Sequence, residues 1–197
     1  GQAGLMMYKT RADYDNVILS PTRRMTLFED DFRDYELAAW DTRDTGDWSI
    51  VPLQFVYQQT SVAGDARAVT PIPTEDQIVQ ARAMATAFGS GPGRWFGIMA
   101  RYQDDHNYYY VTVRNDDTIA LRKLVNGAII ELDVAPLTVT TNTWYTLRLE
   151  AIGDSLRTYV NGQLILEAED ASFAAGRYGL VMYKAATRYD EFVALQP

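Results

Sequence analysis

His106 is the one histidine among 197 residues, and imidazole is the side chain whose ordinary pKa suits general-base work near neutrality. It sits in Gln103-Asp104-Asp105-His106-Asn107, which reads as a solvent-exposed loop between two strands. A catalytic role would require a neighbouring tyrosine or arginine held against a uronic acid, and the sequence does not show one reaching it. The acidic clusters Glu29-Asp30-Asp31 and Glu167-Ala168-Glu169-Asp170 do not have the spacing of a paired-carboxylate site. Cysteine is absent, which excludes disulfides and thiol catalysis, and a single histidine leaves no zinc site. Gly89-Ser90-Gly91-Pro92-Gly93 is a flexible turn with no helix after it, so neither a phosphate loop nor a nucleophile elbow is present. No catalytic residue is assigned.

Recognition chemistry is better represented than catalytic chemistry. Alternation along a strand sends neighbouring side chains to opposite faces. If Tyr109, Val111 and Val113 point into a core, then Tyr108, Tyr110, Thr112 and Arg114 share the other face. By the same rule Phe96, Ile98, Ala100 and Tyr102 point in, and Trp95, Met99 and Arg101 point out. Tyr178, Leu180 and Met182 go in, leaving Arg177, Gly179 and Tyr183 out. The expected ligand-binding face therefore carries Trp95, Arg101, Tyr108, Tyr110, Arg114 and Tyr183. Flat rings stack on sugars, and arginine offers paired donors to hydroxyls or carboxylates. The same residues could instead form cross-strand pairs within the sheet, or be covered by a neighbouring module. Asp31 near the first strand and Asp190 near the last are hard-oxygen ligands that could hold a structural Ca²⁺ if the terminal strands pair.

The elements that must position these groups are strands. The hydrophobic period is two over Trp95–Tyr102, Tyr108–Arg114 and Trp144–Ala151. Further strands are expected at Leu156–Val160, Gln163–Ala168, Arg177–Tyr183 and Tyr189–Leu195. The alanine-rich Gln80–Ala87 alternates Ala81, Ala83 and Ala85 with Arg82, Met84 and Thr86, which favours a strand over a helix. Asn126-Gly127 and Asn161-Gly162 stand between apolar strands and are strong hairpin signals. Turns recur roughly every 8–12 residues, and the whole pattern is that of an antiparallel β-sandwich with little or no helix.

Residues 4–21 are a degraded copy of residues 179–196. Gly4-Leu5-Met6-Met7-Tyr8-Lys9 aligns with Gly179-Leu180-Val181-Met182-Tyr183-Lys184, and Tyr14-Asp15 with Tyr189-Asp190; seven of the eighteen positions are identical. The expected organisation is terminal strands of a preceding homologous module over 1–21, a linker over 22–26, and a module over 27–197. The first residue is then expected to be a cut within a longer protein. The remainder, about 172 residues, is enough for one domain with its own core.

Ala100-Arg101-Tyr102-Gln103-Asp104-Asp105-His106-Asn107-Tyr108-Tyr109-Tyr110, followed by Leu121-Arg122-Lys123-Leu124-Val125-Asn126-Gly127, resembles the concanavalin A-like, laminin-G-like jelly rolls of secreted bacterial proteins. So do Trp144-Tyr145-Thr146-Leu147-Arg148-Leu149-Glu150, the closing Gly176-Arg177-Tyr178-Gly179-Leu180 with Tyr189-Asp190-Glu191-Phe192, and the opening Asp30-Asp31-Phe32. The resemblance covers about residues 26–197 and implies an all-β jelly-roll sandwich at the cell surface or outside the cell. It does not choose an activity, because similar domains include lectins, glycan-binding and adhesion modules, glycanases and lyases. The Glu-x-Asp-x-x-Glu strand of laminarinase-type members is missing, as is the Gln-Ile-His strand of jelly-roll lyases. Tyr183-Lys184-Ala185-Ala186 echoes a second lyase strand only loosely.

A net charge of −8 argues against a nucleic-acid partner or an anionic membrane surface, and no apolar run reaches the ~20 residues of a membrane helix. The expectation is a non-catalytic extracellular module that binds a polysaccharide or other glycan, one unit of a tandem or multidomain protein. A polysaccharide lyase or glycoside hydrolase domain is the alternative from the enzyme class. A structural repeat of a surface fibre, its aromatics covered by homologous neighbours, is the third.

Overall fold

The computed structural model describes residues 24–197, so the repeat at 4–21 and the first two residues of the expected linker, 22 and 23, lie outside the described residues. The described chain forms two antiparallel sheets, with no helix among the described residues. The first sheet contains β1 (Thr26–Asp30), β3 (Trp48–Val51), β4 (Val56–Gln59), β6 (Gln77–Phe88), β11 (Tyr145–Ile152), β12 (Ser155–Val160), β13 (Gln163–Glu169) and β15 (Ala185–Leu195). Its order is β13-β12-β11-β6-β15-β4-β3, with β1 pairing further along β15. The second contains β2 (Asp41–Asp44), β5 (Asp65–Val69), β7 (Trp95–Asp104), β8 (Asn107–Arg114), β9 (Thr118–Val125), β10 (Ala128–Pro136) and β14 (Arg177–Tyr183). Its order is β10-β9-β8-β7-β14-β5-β2.

The core lies between the sheets and follows the alternation of the sequence. Val79, Ala81, Ala83 and Ala85 of β6 face inward, opposite a layer that includes Phe96, Tyr109, Tyr178 and Met182. Small residues in the middle of one sheet leave room for large rings from the other at the ~10 Å separation of packed sheets. Tyr189 crosses this layer, and its hydroxyl donates to the Gly97 carbonyl of the opposite sheet at 3.1 Å. The two Asn-Gly hairpins form as expected: φ is positive at both residues of each, 50° and 81° at Asn126-Gly127, 50° and 82° at Asn161-Gly162. That is the conformation which matches the twist of the strands it joins.

One stretch departs from strict alternation. Between Met99 and Tyr102 β7 uses one residue more than its partner β14, which pairs Gly179 with Met99 and Arg177 with Tyr102. The extra residue is a β-bulge, and Arg101 within it has φ +49°. The expectation that Arg101 faces outward and Tyr102 inward is therefore reversed. Arg101 is 1 % exposed, while Tyr102 joins Met99 on the outer face of the seven-stranded sheet.

Candidate functional site: a charged cleft over an aromatic layer

The outer face of the seven-stranded sheet carries a second apolar layer, separate from the core: Val69, Trp95, Met99, Tyr102, Tyr108, Tyr110, Leu124 and Val181, with Tyr183 packed against it. It exists because β5, β7, β8, β9 and β14 each present apolar or aromatic residues on both faces. Tyr108 and Tyr110 lie 5.2 Å apart, Trp95 and Tyr110 5.4 Å, Tyr102 and Tyr108 5.7 Å. The rings are tilted and cover one another, so Tyr108 is 2 %, Tyr110 1 % and Trp95 7 % exposed. The open stacking platform expected from the sequence is not what the structure shows. These rings form a floor.

Above that floor is a cleft of about 380 Å³, walled by Asp44, Asp65, Arg67, Asp105 and His106, with Leu124 and Ile129 on its far side. Arg67 is the organising group. Alternation in β5 sends Ala66 and Ala68 to the core and Arg67 to the cleft. Its Nε donates to the Tyr108 hydroxyl at 3.2 Å, its Nη1 donates to the Asp44 carboxylate, and Asp105 stands 3.9 Å away. The Tyr108 ring lies 5.4 Å from the guanidinium. The Asp105 carboxylate is held from behind by the Tyr102 hydroxyl, which donates to it, and by Arg43 at 3.6 Å.

Asp65 differs from the other two carboxylates. Its carboxylate pairs with no arginine and accepts no hydrogen bond among the described residues, although its backbone carbonyl accepts from the Thr45 hydroxyl at 2.8 Å. Burial raises its pKa above the ordinary 3.8, with Arg67 pulling it down and Asp44 pushing it up. Burial likewise raises Tyr108, against the pull of Arg67. The cleft thus combines one fixed cluster of donors with an acceptor left open. It can grip a molecule that offers both hydroxyl donors and hydroxyl acceptors.

The sequence-derived residues divide accordingly. Trp95, Tyr108 and Tyr110 come together at the cleft. Tyr183 lies beside Trp95, 6.5 Å between centroids, without reaching the cleft. Arg114 ends β8 opposite Trp95 and is paired with Asp116 at 2.8 Å and Glu131 at 3.8 Å. Arg101 is on the other side of the strand altogether. Asp44, Asp65, Arg67 and Asp105 were missed, although Asp65-Ala66-Arg67-Ala68-Val69 alternates charge with alanine and carried the signal.

The terminal strands do pair, Asp30 opposite Phe192. The expected Ca²⁺ ligands nevertheless do not make a cation shell. Asp31 is largely exposed and pairs with Arg33 at 3.3 Å, and Asp190 pairs with Arg82 at 3.3 Å. A larger hollow of about 650 Å³ runs along the seam of β1 and β15 and is lined by Asp31 and Glu191 among other acids. Among the described residues no three acids or histidines converge closely enough to hold a metal ion.

No family model matches the chain. Over 98 residues it is 29 % identical to the levanase of Bacillus subtilis (strain 168), a stretch that is 49 % of this chain and 14 % of that protein. Among solved structures, it is similar to the carbohydrate-binding module CBM66 from Bacillus subtilis, with a TM-score of 0.70 and 24 % identity over 80 % of this chain and 96 % of that one. It is also similar to a Bacillus subtilis protein with a galectin-like fold, with a TM-score of 0.68 and 13 % identity over 88 % and 98 %. The fold is the two-sheet antiparallel β-sandwich of those structures. Sequence likeness at this level shows the architecture and leaves the activity to the chemistry of the site.

Proposed function

We propose that this module binds a neutral glycan in the Arg67 cleft and does not cleave it. The carrying observation is the contrast between Arg67, a buried guanidinium locked to Asp44 and Tyr108, and Asp65, whose carboxylate in the same cleft has no partner among the described residues. Paired hydroxyls suit such an arrangement, one accepting from the arginine side and the other donating to the open carboxylate. A volume of about 380 Å³ is at the small end for ligand sites and suits a sugar residue better than a long polymer segment. Three carboxylates against one arginine make the cleft hostile to uronic acids and sulfated sugars. The cations that would have served an acidic polysaccharide, Arg101 and Arg114, are committed elsewhere.

The likeness to a carbohydrate-binding module and to part of a levanase supports the reading and makes levan the first polymer to test. The test is affinity electrophoresis through levan, dextran, mannan and polygalacturonate. Retardation by a neutral polymer, absent in Arg67→Ala, is the expected result.

A hydrolase reading has one observation of its own. Burial sets the pKa of Asp65 above that of an ordinary aspartate, while Asp44 beside it is paired with a guanidinium. Two carboxylates with different environments are how acid and base roles are divided. Release of reducing sugar from the same polymers, abolished by Asp65→Asn, would establish that reading in place of binding alone.

The repeat at 4–21 supports placement in an extracellular array of homologous modules. Thr26 pairs with Leu195, so the two ends of the module lie side by side. Modules joined through such neighbouring ends would hang from a common line, each with its cleft free, instead of stacking into a stiff rod.

A further inference from the structure

Arg101 heads the fully buried large side chains, and it carries a charge. Each N–H of its guanidinium has an acceptor. Nε donates to the Glu75 carbonyl at 3.0 Å; Nη1 donates to the Gly153 and Phe173 carbonyls, both at 2.8 Å; Nη2 donates to the Ala151 carbonyl at 3.2 Å and the Asp76 carboxylate at 3.3 Å. Five donors meet five oxygens, four of them from the backbone of three separate segments. Asp76 is itself oriented, accepting from the Gly153 amide at 2.8 Å. The Arg101 amide donates to Gln77 Oε1 at 3.0 Å, and Gln77 Nε2 donates to the Gly176 carbonyl at 2.5 Å. A buried charge without such partners is strongly unfavourable, so the backbone bearing it is fixed wherever this oxygen shell can be reached.

That placement reaches the cleft through the next residue. Were β7 to alternate without its bulge, Arg101 would face the cleft side and Tyr102 the core. With the bulge, Tyr102 lies on the outer layer, 5.7 Å from the Tyr108 ring and 5.0 Å beneath the Arg177 guanidinium. Its hydroxyl donates to Asp105, the carboxylate that faces Arg67 across the cleft.

We propose that Arg101 is a positioning residue for the cleft: fixed in its oxygen shell, it sets the bulge that turns Tyr102 outward, and Tyr102 holds Asp105 where a ligand hydroxyl meets it. This deepens the glycan-binding reading and rests on it for the ligand; the geometric part is independent of any ligand. A purely structural clasp would affect melting temperature and leave the affinity of the folded protein unchanged.

The test is a double-mutant cycle on the full chain, with Arg101→Lys, Tyr102→Phe and the double variant titrated against levan, or against dextran or mannan if one of those is the polymer retained. Nuclear Overhauser contacts between the rings at 102 and 108 are followed in parallel. Each single variant is expected to weaken binding about tenfold, the loss of one charge-assisted hydrogen bond. The double variant should be no weaker than either single one, because both act through the same contact. Arg101→Lys that binds like the wild type, or losses that multiply to about a hundredfold, would overturn the proposal. Should Arg101→Lys not fold, Asp76→Asn keeps the four carbonyls, and the same non-additivity with Tyr102→Phe is expected at smaller amplitude; additivity overturns it. If the wild type binds none of the three polymers, the glycan reading fails by itself. The ring contact then decides the geometric part: its loss in the Arg101 or Asp76 variant upholds the positioning role, and its persistence refutes it.

Discussion

Arg67 and Asp65 are adjacent outward positions of one short strand, yet their surroundings give them opposite behaviour. Arg67 is tied down by Asp44 and the Tyr108 hydroxyl, and Asp65 has no such restraint. Arg67→Lys keeps the charge and loses the planar fork, so it should cost binding while largely preserving the fold. The expected loss is ten- to a hundredfold, from about 1.5–3 kcal/mol for hydrogen bonds to a charged group, read by titration calorimetry. Asp65 makes a pH prediction. Its folded pKa lies above the unfolded one, so its contribution to stability is present at low pH and lost as pH rises through the folded value. Asp65→Asn should therefore melt higher than the wild type at neutral pH. Binding runs the other way, since a ligand hydroxyl needs the ionised acceptor: affinity should fall as the solution is acidified through a pKa above the ordinary 3.8, and the fall should vanish in Asp65→Asn. A wild-type affinity flat across that range would remove Asp65 from the contact set. Asp170 has the opposite sign. Burial would raise its pKa, but Lys123, Ser172 and Tyr109 donate to it and hold it well below the usual carboxylate range. Its stabilisation is present above the unfolded pKa and is lost as pH falls through the folded value. Lys123→Met should accordingly lower the melting temperature at neutral pH and narrow the difference from wild type in strong acid.

At the scale of the strand, the bulge in β7 is the feature with most consequence. It fits only because position 176 is glycine: φ there is +155°, and a Cβ would collide with the Arg101 backbone. Gly176→Ala should destabilise the fold by about 1–3 kcal/mol, the usual cost of forcing atoms into a filled site, measured by urea unfolding. Unchanged stability would mean that the bulge relaxes at little cost. The same element shows where sequence reading succeeds and where it stops. Alternation correctly placed Tyr109, Val111 and Val113 inside and Tyr108 and Tyr110 outside, and the Asn-Gly turns and alanine strand formed as the pattern implied. It failed at Arg101 and Tyr102, because a bulge is one inserted residue and nothing in period-two reasoning registers it until the partner strand is known. The aromatic floor was legible, but the charged walls were not. Asp44 and Asp105 reach the cleft from a short edge strand and a turn, and they meet Arg67 only through pairings distant in sequence. Asp31 and Asp190 read as metal ligands on the pairing of the terminal strands; each has an arginine at 3.3 Å, a partner that proximity of strands did not reveal.

For the molecule as a whole, the β-sandwich supplies two buried layers, one between the sheets and one beneath the cleft. Charge is distributed against anionic ligands: −8 over the chain, and three carboxylates to one arginine at the site. Binding of a neutral polymer should consequently change little between about 0.1 M and 1 M salt, over which the screening length falls from ~10 Å to ~3 Å. Chelator or added calcium should leave the melting temperature unchanged, since the acids near the terminal strands are dispersed or paired; a rise with calcium would reveal a shell that these residues do not form by themselves. The central claim is that the Arg67 cleft holds a neutral glycan without breaking it. Titration of the protein with levan, dextran, mannan and polygalacturonate, with reducing ends assayed in the same samples, tests it most directly. Saturable binding to at least one neutral polymer, none to polygalacturonate, loss of binding in Arg67→Ala, and no new reducing ends are expected. Binding that survives Arg67→Ala, a preference for the acidic polymer, or steady release of reducing sugar would contradict it.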